Sequence, residues 1–196
     1  MARLKAPERR EQLIEVATRQ FAKHGYDATT TAAIAEAAGV TEPILYRHFK
    51  SKQEMFVAIV KAVSEQTMRH WQELIADTSD PAQQIRKISA EMPEHMEHLA
   101  DAYHVLHGAL ATSRDRKVLA VIKDHYETIE RFFGRIVREG QKDGTFRKDV
   151  HPRTAAWQLI MTGVGYGLIA LNITPNPLDR DLIGEAIDSI LRGLKS

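Results

Sequence analysis

The chain has 196 residues, 43% of them hydrophobic, a formal net charge of +1 and no cysteine. That supplies enough apolar chain for one or two packed domains and argues against a disordered chain. It also excludes disulfide scaffolds and cysteine-based zinc sites, so a reducing cytoplasm is the expected setting.

The opening "MARLKAPERREQ" contains no secretory-type apolar stretch, and no apolar run is long enough to span a bilayer, so no membrane association is expected. Charge is unevenly spread. Residues 1–52 hold nine Lys/Arg against six Asp/Glu, and the remainder is slightly acidic. The basic end favours a polyanion, although an excess this small also arises by chance.

A first helix is predicted from about Pro7, with Leu13, Val16, Ala17 and Phe21 on one face, to Gly25. "DATTTAAIAEAAG" predicts a second. Thr29 or Thr30 caps it, Ile34, Ala35 and Ala38 face inward, and Gly39 ends it. After Gly39-Val40 a third helix starts, with Thr41 as N-cap and Pro43 in its first turn. Leu45 and Phe49, four apart, turn inward. Pro43, Ile44 and Arg47 turn outward, with Tyr46 and His48 on the flanks. Two helices joined by a tight glycine turn form a helix-turn-helix.

The outward face of the third helix suits a DNA major groove, which admits one helix. Tyr46 and His48 can donate to phosphates. Arg47 can reach a phosphate or a guanine edge. Glu42 can accept from a cytosine amine, and Pro43 and Ile44 can pack on a thymine methyl. Thr41 can cap, touch a phosphate, or both. Ser51 and Glu54 form a capping box that starts a fourth helix. Lys52 in its first turn is either a phosphate ligand or an indifferent surface lysine. Arg3, Lys5, Arg9 and Arg10 form a basic arm that either enters a minor groove or frays.

"TTTAAIAEAAGVTEPILYRHFKSKQEMFVAIV" resembles the DNA-binding domain of TetR/AcrR-family transcriptional regulators. The pattern is Thr30, Ile34-Ala35, Ala38-Gly39-Val40, Leu45-Tyr46, His48-Phe49 and Lys52, within about residues 7–63. The resemblance implies DNA contacts by Thr30, Thr31, Thr41, Glu42, Pro43, Tyr46, Arg47, His48 and Lys52. Some members carry a base-reading cation in the first turn of the second helix. Here that turn is Thr31-Ala32-Ala33, which shifts base readout to the third helix and the arm.

From Ser51 onward the hydrophobic period is helical throughout. Helices are expected to about Ile75, then through Ile85 to Leu99 with a kink or break at Pro93. Others follow over 102–111, 115–139, 152–172 and 179–194. The expected architecture is all-α with about nine helices, divided into a helix-turn-helix domain over residues 1–52 and a ligand-binding and dimerisation domain over 53–196. "REGQKDGTFRKDVHPRTAAWQLI" again resembles the TetR family and implies a homodimer built by the last two helices. "AAWQLIMTGVGYGLIAL" is apolar nearly all round and must be covered on most sides. The expected interface is Trp157, Ile160, Gly163, Val164, Gly167 and Leu168 with Ile183, Ile187 and Ile190.

The resemblance also implies a small-molecule effector among the middle helices. Candidate liners are Trp71, Met92, Met96, Tyr103, Leu106, Leu110, Tyr126, Phe133, Trp157 and Met161, any of which can equally be plain core. His95/His98 and His104/His107 are paired at i, i+3, a spacing that can turn two imidazoles to one metal. Spacing fixes no third ligand, so no metal or cofactor is assigned. No nucleophile elbow, phosphate loop or HExxH occurs, which argues against an enzyme. The expected function is a ligand-responsive repressor that reads a palindromic double-stranded operator as a two-fold dimer and is released by a hydrophobic effector.

Overall fold

The computed structural model describes residues 5–178 and 180–195. Arg3 of the expected arm and Asp179, the expected start of the last helix, lie outside them. Nine helices occur among the described residues: α1 Ala6–His24, α2 Thr31–Ala37, α3 Glu42–His48, α4 Lys52–Leu74, α5 Pro81–His98, α6 Ala100–Thr112, α7 Arg116–Asp143, α8 Pro152–Ala170 and α9 Arg180–Leu194.

The chain forms two compact units. One gathers Met1–Val63 and Asp101–Lys123, the other Ser64–Ala100 and Asp124–Ser196. The contacts therefore do not divide at the expected 52/53 boundary. The first half of α4 buries Met55, Phe56, Ile59 and Val60, and α6 belongs with the same unit. Packing of α4, not a change in composition, sets the limit.

In the first unit, α1 buries Leu13, Val16, Ala17 and Phe21. Thr30 caps α2 by accepting from the Ala33 amide at 3.1 Å. Gly39 makes the turn into α3 with φ +66°, a conformation that disfavours any Cβ. Leu45 and Phe49 are buried as their spacing requires. Ser51 accepts from the Glu54 amide at 3.1 Å. The returning carboxylate reaches the Lys50 amide at 2.7 Å instead of that of Ser51. Thr41 makes no side-chain cap bond, which leaves its exposed hydroxyl outside the helix's own bonding.

The second unit is built around Trp71, Ile85, Ile88, Ile129, Phe133, Ile136, Leu159, Ile187 and Leu191. Helix α5 packs on α8 and α9, and α8 on α9. Of the two outcomes expected at Pro93, a kink or a break, the break does not occur: α5 runs through it. A proline removes one backbone bond, and the flanking turns hold through burial of Ile88, Ser89, His95 and Met96.

Candidate nucleic-acid interface and effector groove

The recognition face is set by what α3 buries. With Leu45 and Phe49 turned inward, Pro43, Tyr46 and Arg47 are exposed, and Glu42, Ile44 and His48 are half-buried. Thr31 of α2 joins this face. Its Oγ1 donates to Glu42 Oε1 at 2.7 Å and lies 3.1 Å from the Tyr46 hydroxyl. The structure thus brings Thr31, Glu42 and Tyr46 together. No periodicity could pair residues eleven and fifteen apart on two short helices.

Lys52 departs from expectation. Its Nζ donates to the carbonyls of Tyr26 at 2.8 Å, Asp27 at 3.1 Å and Thr29 at 3.0 Å. It also stands over the Tyr26 ring, 4.6 Å from the centroid. An ammonium has three protons, and all three are engaged within the protein. These contacts give Lys52 a structural role that was not expected: it ties the α1–α2 turn to the start of α4. The arm is also corrected. Arg9 and Arg10 lie inside α1, where Arg9 bonds Gln12 at 2.5 Å and the Arg10 guanidinium stacks on Phe49 at 4.6 Å.

The expected effector residues are divided between the two units. Tyr103, Leu106 and Leu110 belong to the first unit, where Tyr103 and Leu106 are buried and Leu110 is exposed. In the second unit Trp71 and Phe133 are packed core, with ring centroids 5.3 Å apart. Tyr126 lies beside Trp157, whose Nε1 donates to Glu130 at 2.9 Å. Met161 is 60% exposed. The second unit does hold a groove of about 320 Å³, lined by Pro93, Met96, Glu97, Tyr166, Ala170, Leu171, Asn176 and Leu178. Of the expected set only Met96 lines it. Tyr166 and Leu178 were missed because nothing in their local spacing separates a groove wall from core.

Met92 and Met96 instead explain two glycines. A Cβ at Gly163 would stand 3.0 Å from Met92 Sδ, and one at Gly167 would stand 2.6 Å from Met96 Sδ. The glycines admit thioethers of α5 and are buried within the protomer, so they do not belong to the expected dimer interface. Ile160, Ile183 and Ile187 are corrected in the same way: each is buried core. The apolar side chains left outward are Met161 and Leu168 on α8 and Leu182 on α9, beside half-buried Trp157, Val164 and Ile190. Trp157, Met161, Val164 and Leu168 follow a four-three-four spacing, a single helical stripe.

His95 is buried, with Nε2 3.0 Å from Thr67 Oγ1 and its ring stacked on His70 at 5.0 Å. Burial, then the neighbouring His70 and His98, lowers its pKa to about 4. Burial and His104 lower that of His107. Among the described residues no group of three or more metal-ligating side chains comes together. Nor is any described helix long and apolar enough to cross a membrane.

The profile for bacterial regulatory proteins of the tetR family matches residues 13–59, the stretch from mid-α1 to mid-α4. The chain is 27% identical over 150 residues to the nucleoid occlusion factor SlmA of Marinobacter nauticus, covering 76% of this chain and 75% of that one. It is 25% identical over 142 residues to the transcriptional repressor KstR2 of Mycolicibacterium smegmatis, covering 72% and 69%. In fold it is similar to the transcriptional regulator FadR of Bacillus subtilis, solved with stearoyl-CoA. That match has a TM-score of 0.83 and 18% identity, over 94% of this chain and 98% of that one.

Proposed function

We propose that this chain, whose residues 13–59 match the tetR-family profile, is a TetR-family homodimeric repressor released from a palindromic operator by a small apolar effector. The observation that carries this reading is the α3 face. Buried Leu45 and Phe49 fix the helix, and that leaves Pro43, Tyr46 and Arg47 outward beside Thr31 and Glu42. Such a face fits a major groove, with Arg47 on a phosphate or guanine edge, and Thr30, Thr41, Ile44 and His48 around it. The chain acts by binding rather than catalysis, in the cytoplasm where the operator lies.

The dimer is built by the outward stripe of Trp157, Met161, Val164 and Leu168 with Leu182 and Ile190 of α9. A two-fold axis then presents two α3 helices to half-sites about 34 Å apart. The effector occupies the groove beside Met96. Glu97 is the one charged side chain among its lining residues, which disfavours a polyanionic head group of the kind in stearoyl-CoA and favours an uncharged or cationic apolar molecule. Repression ends when the effector binds better to a conformation whose two heads no longer match the half-sites, and the shift equals that difference in affinity.

The test is selection of duplexes from a randomised pool, followed by titration of the selected duplex with the dimer. The expected result is a palindromic consensus, lost on Arg47→Ala by about 1–3 kcal/mol where that side chain meets a base edge. Failure to retain any duplex, even at low salt, ends the reading.

A further inference from the structure

Three side chains of the recognition face share protons in a determined order. Thr31 Oγ1 donates to Glu42 Oε1 at 2.7 Å and lies 3.1 Å from the Tyr46 hydroxyl. A threonine hydroxyl carries one proton and two lone pairs. Its proton is committed to the carboxylate, which has none to return. The proton in the second contact therefore comes from Tyr46. The relay runs from Tyr46 Oη–H to Thr31 Oγ1, and from Thr31 Oγ1–H to Glu42 Oε1.

Direction decides what the face offers to a partner. Tyr46 is 47% exposed, yet its only hydroxyl proton points inward, so its outer side presents lone pairs. The second oxygen of Glu42 is likewise acceptor-only. Phosphate oxygens are acceptors and carry negative charge, so this patch is repelled by the DNA backbone and is suited only to a base edge that donates. That reverses the donor role expected of Tyr46 toward phosphate.

We propose that Tyr46, Thr31 and Glu42 form an acceptor-only head that reads the 4-amino group of cytosine in the major groove, with Thr31 as its positioning residue. The proposal rests on the assignment of this face to duplex DNA. The choice of cytosine follows from the groove's pattern. Guanine and thymine offer acceptors there, which meet lone pairs. In an A·T pair the amine lies between two acceptors, adenine N7 and thymine O4, so a second acceptor oxygen is opposed on either side. In a G·C pair the cytosine amine has guanine O6 on one side only, and its other side carries the C5–H, which opposes no oxygen. An acidic group on this face also lowers affinity for duplex DNA of arbitrary sequence, so its gain is in discrimination.

The experiment uses the full-length dimer and the duplex that the wild type selects from a randomised pool. Each cytosine of a half-site is replaced in turn by 2-pyrimidinone, which lacks only the 4-amino group, and each adenine by purine, which lacks only the 6-amino group. Binding is measured for the wild type, Thr31→Val and Glu42→Gln. The expected result is one cytosine whose replacement weakens wild-type binding about tenfold or more, and weakens binding of both variants by about threefold or less. Glu42→Gln is also expected to bind unrelated duplexes more tightly than the wild type. Thr30, not Thr31, caps α2, so Thr31→Val should keep the wild-type helicity and melting temperature. A variant that loses them leaves Glu42→Gln to decide the coupling. Uniform loss at every position, or a loss that follows an adenine, overturns the proposal while the DNA-binding function stands. A wild type that selects no duplex overturns both.

Discussion

The ammonium of Lys52 lies 4.6 Å from the centre of the Tyr26 ring and donates to the carbonyls of Tyr26, Asp27 and Thr29. Those three carbonyls belong to the turn between α1 and α2, so one side chain at the start of α4 closes the head. Lys52→Met keeps the aliphatic stem and removes the donors. We expect it to lower stability by about 1–2 kcal/mol, because three carbonyls, two of them in part-buried bonds, lose a charged partner. Denaturant titration measures this. The salt dependence of operator binding should stay unchanged, since the lysine has no free proton for a phosphate. A slope lower by about one would restore the phosphate contact.

Gly167 and Met96 are matched in the same way. A Cβ at position 167 would stand 2.6 Å from Met96 Sδ and 2.8 Å from its Cε. Gly167→Ala gains about 1 kcal/mol of helix propensity and pushes aside the flexible end of Met96, which borders the groove, at a cost of about 1 kcal/mol. The opposed effects leave a net change within about 1 kcal/mol. In the double variant with Met96→Ala the clash is absent, so the two changes should be non-additive by about 1 kcal/mol or more in thermal or chemical melts. Gly163→Ala, 3.0 Å from Met92 Sδ, should be milder.

The outward stripe on α8 makes a prediction about assembly. Met161 and Leu168 are 60% and 43% exposed, so Met161→Arg or Leu168→Glu leaves each protomer's core intact. We expect both variants to sediment as folded monomers and to lose most operator affinity, since one head reads half a palindrome. Ile187→Arg, by contrast, places a charge in the core and should unfold the chain. A folded dimer for Met161→Arg and Leu168→Glu would remove this face from the interface.

His95 predicts a pH dependence. Its pKa is lowered from 6.5 to about 4, by burial first and then by His70 and His98. Between those values the unfolded chain binds more protons than the folded one, so stability falls as pH drops through that window and is fully present above about 6.5. The loss is about 2 kcal/mol after allowance for solvent screening. His95→Gln, which can still bond Thr67, should flatten the profile between pH 4 and 6.5. An equally steep profile in that variant would move the effect to other groups.

The buried faces of the head and the order of helices were legible in the sequence. Leu13, Val16 and Phe21 in α1, then Leu45 and Phe49 in α3, repeat at helical spacing, and Gly25 and Gly39 punctuate them. Local rules of this kind concern residues within a turn or two of each other, and they also placed Pro43 and Arg47 outward and Tyr46 on the flank. They fail on α8, which is apolar on every side, because a period cannot rank faces that are all hydrophobic. Only packing against α5 showed that Gly163 and Gly167 look inward onto Met92 and Met96 while Met161 and Leu168 look out. They fail again for Lys52 and Thr31, whose partners lie between eleven and twenty-six residues away. A side chain's charge or hydroxyl can be read from sequence, but whether its protons are still available to DNA depends on distant backbone and side chains that the folded chain alone brings within reach.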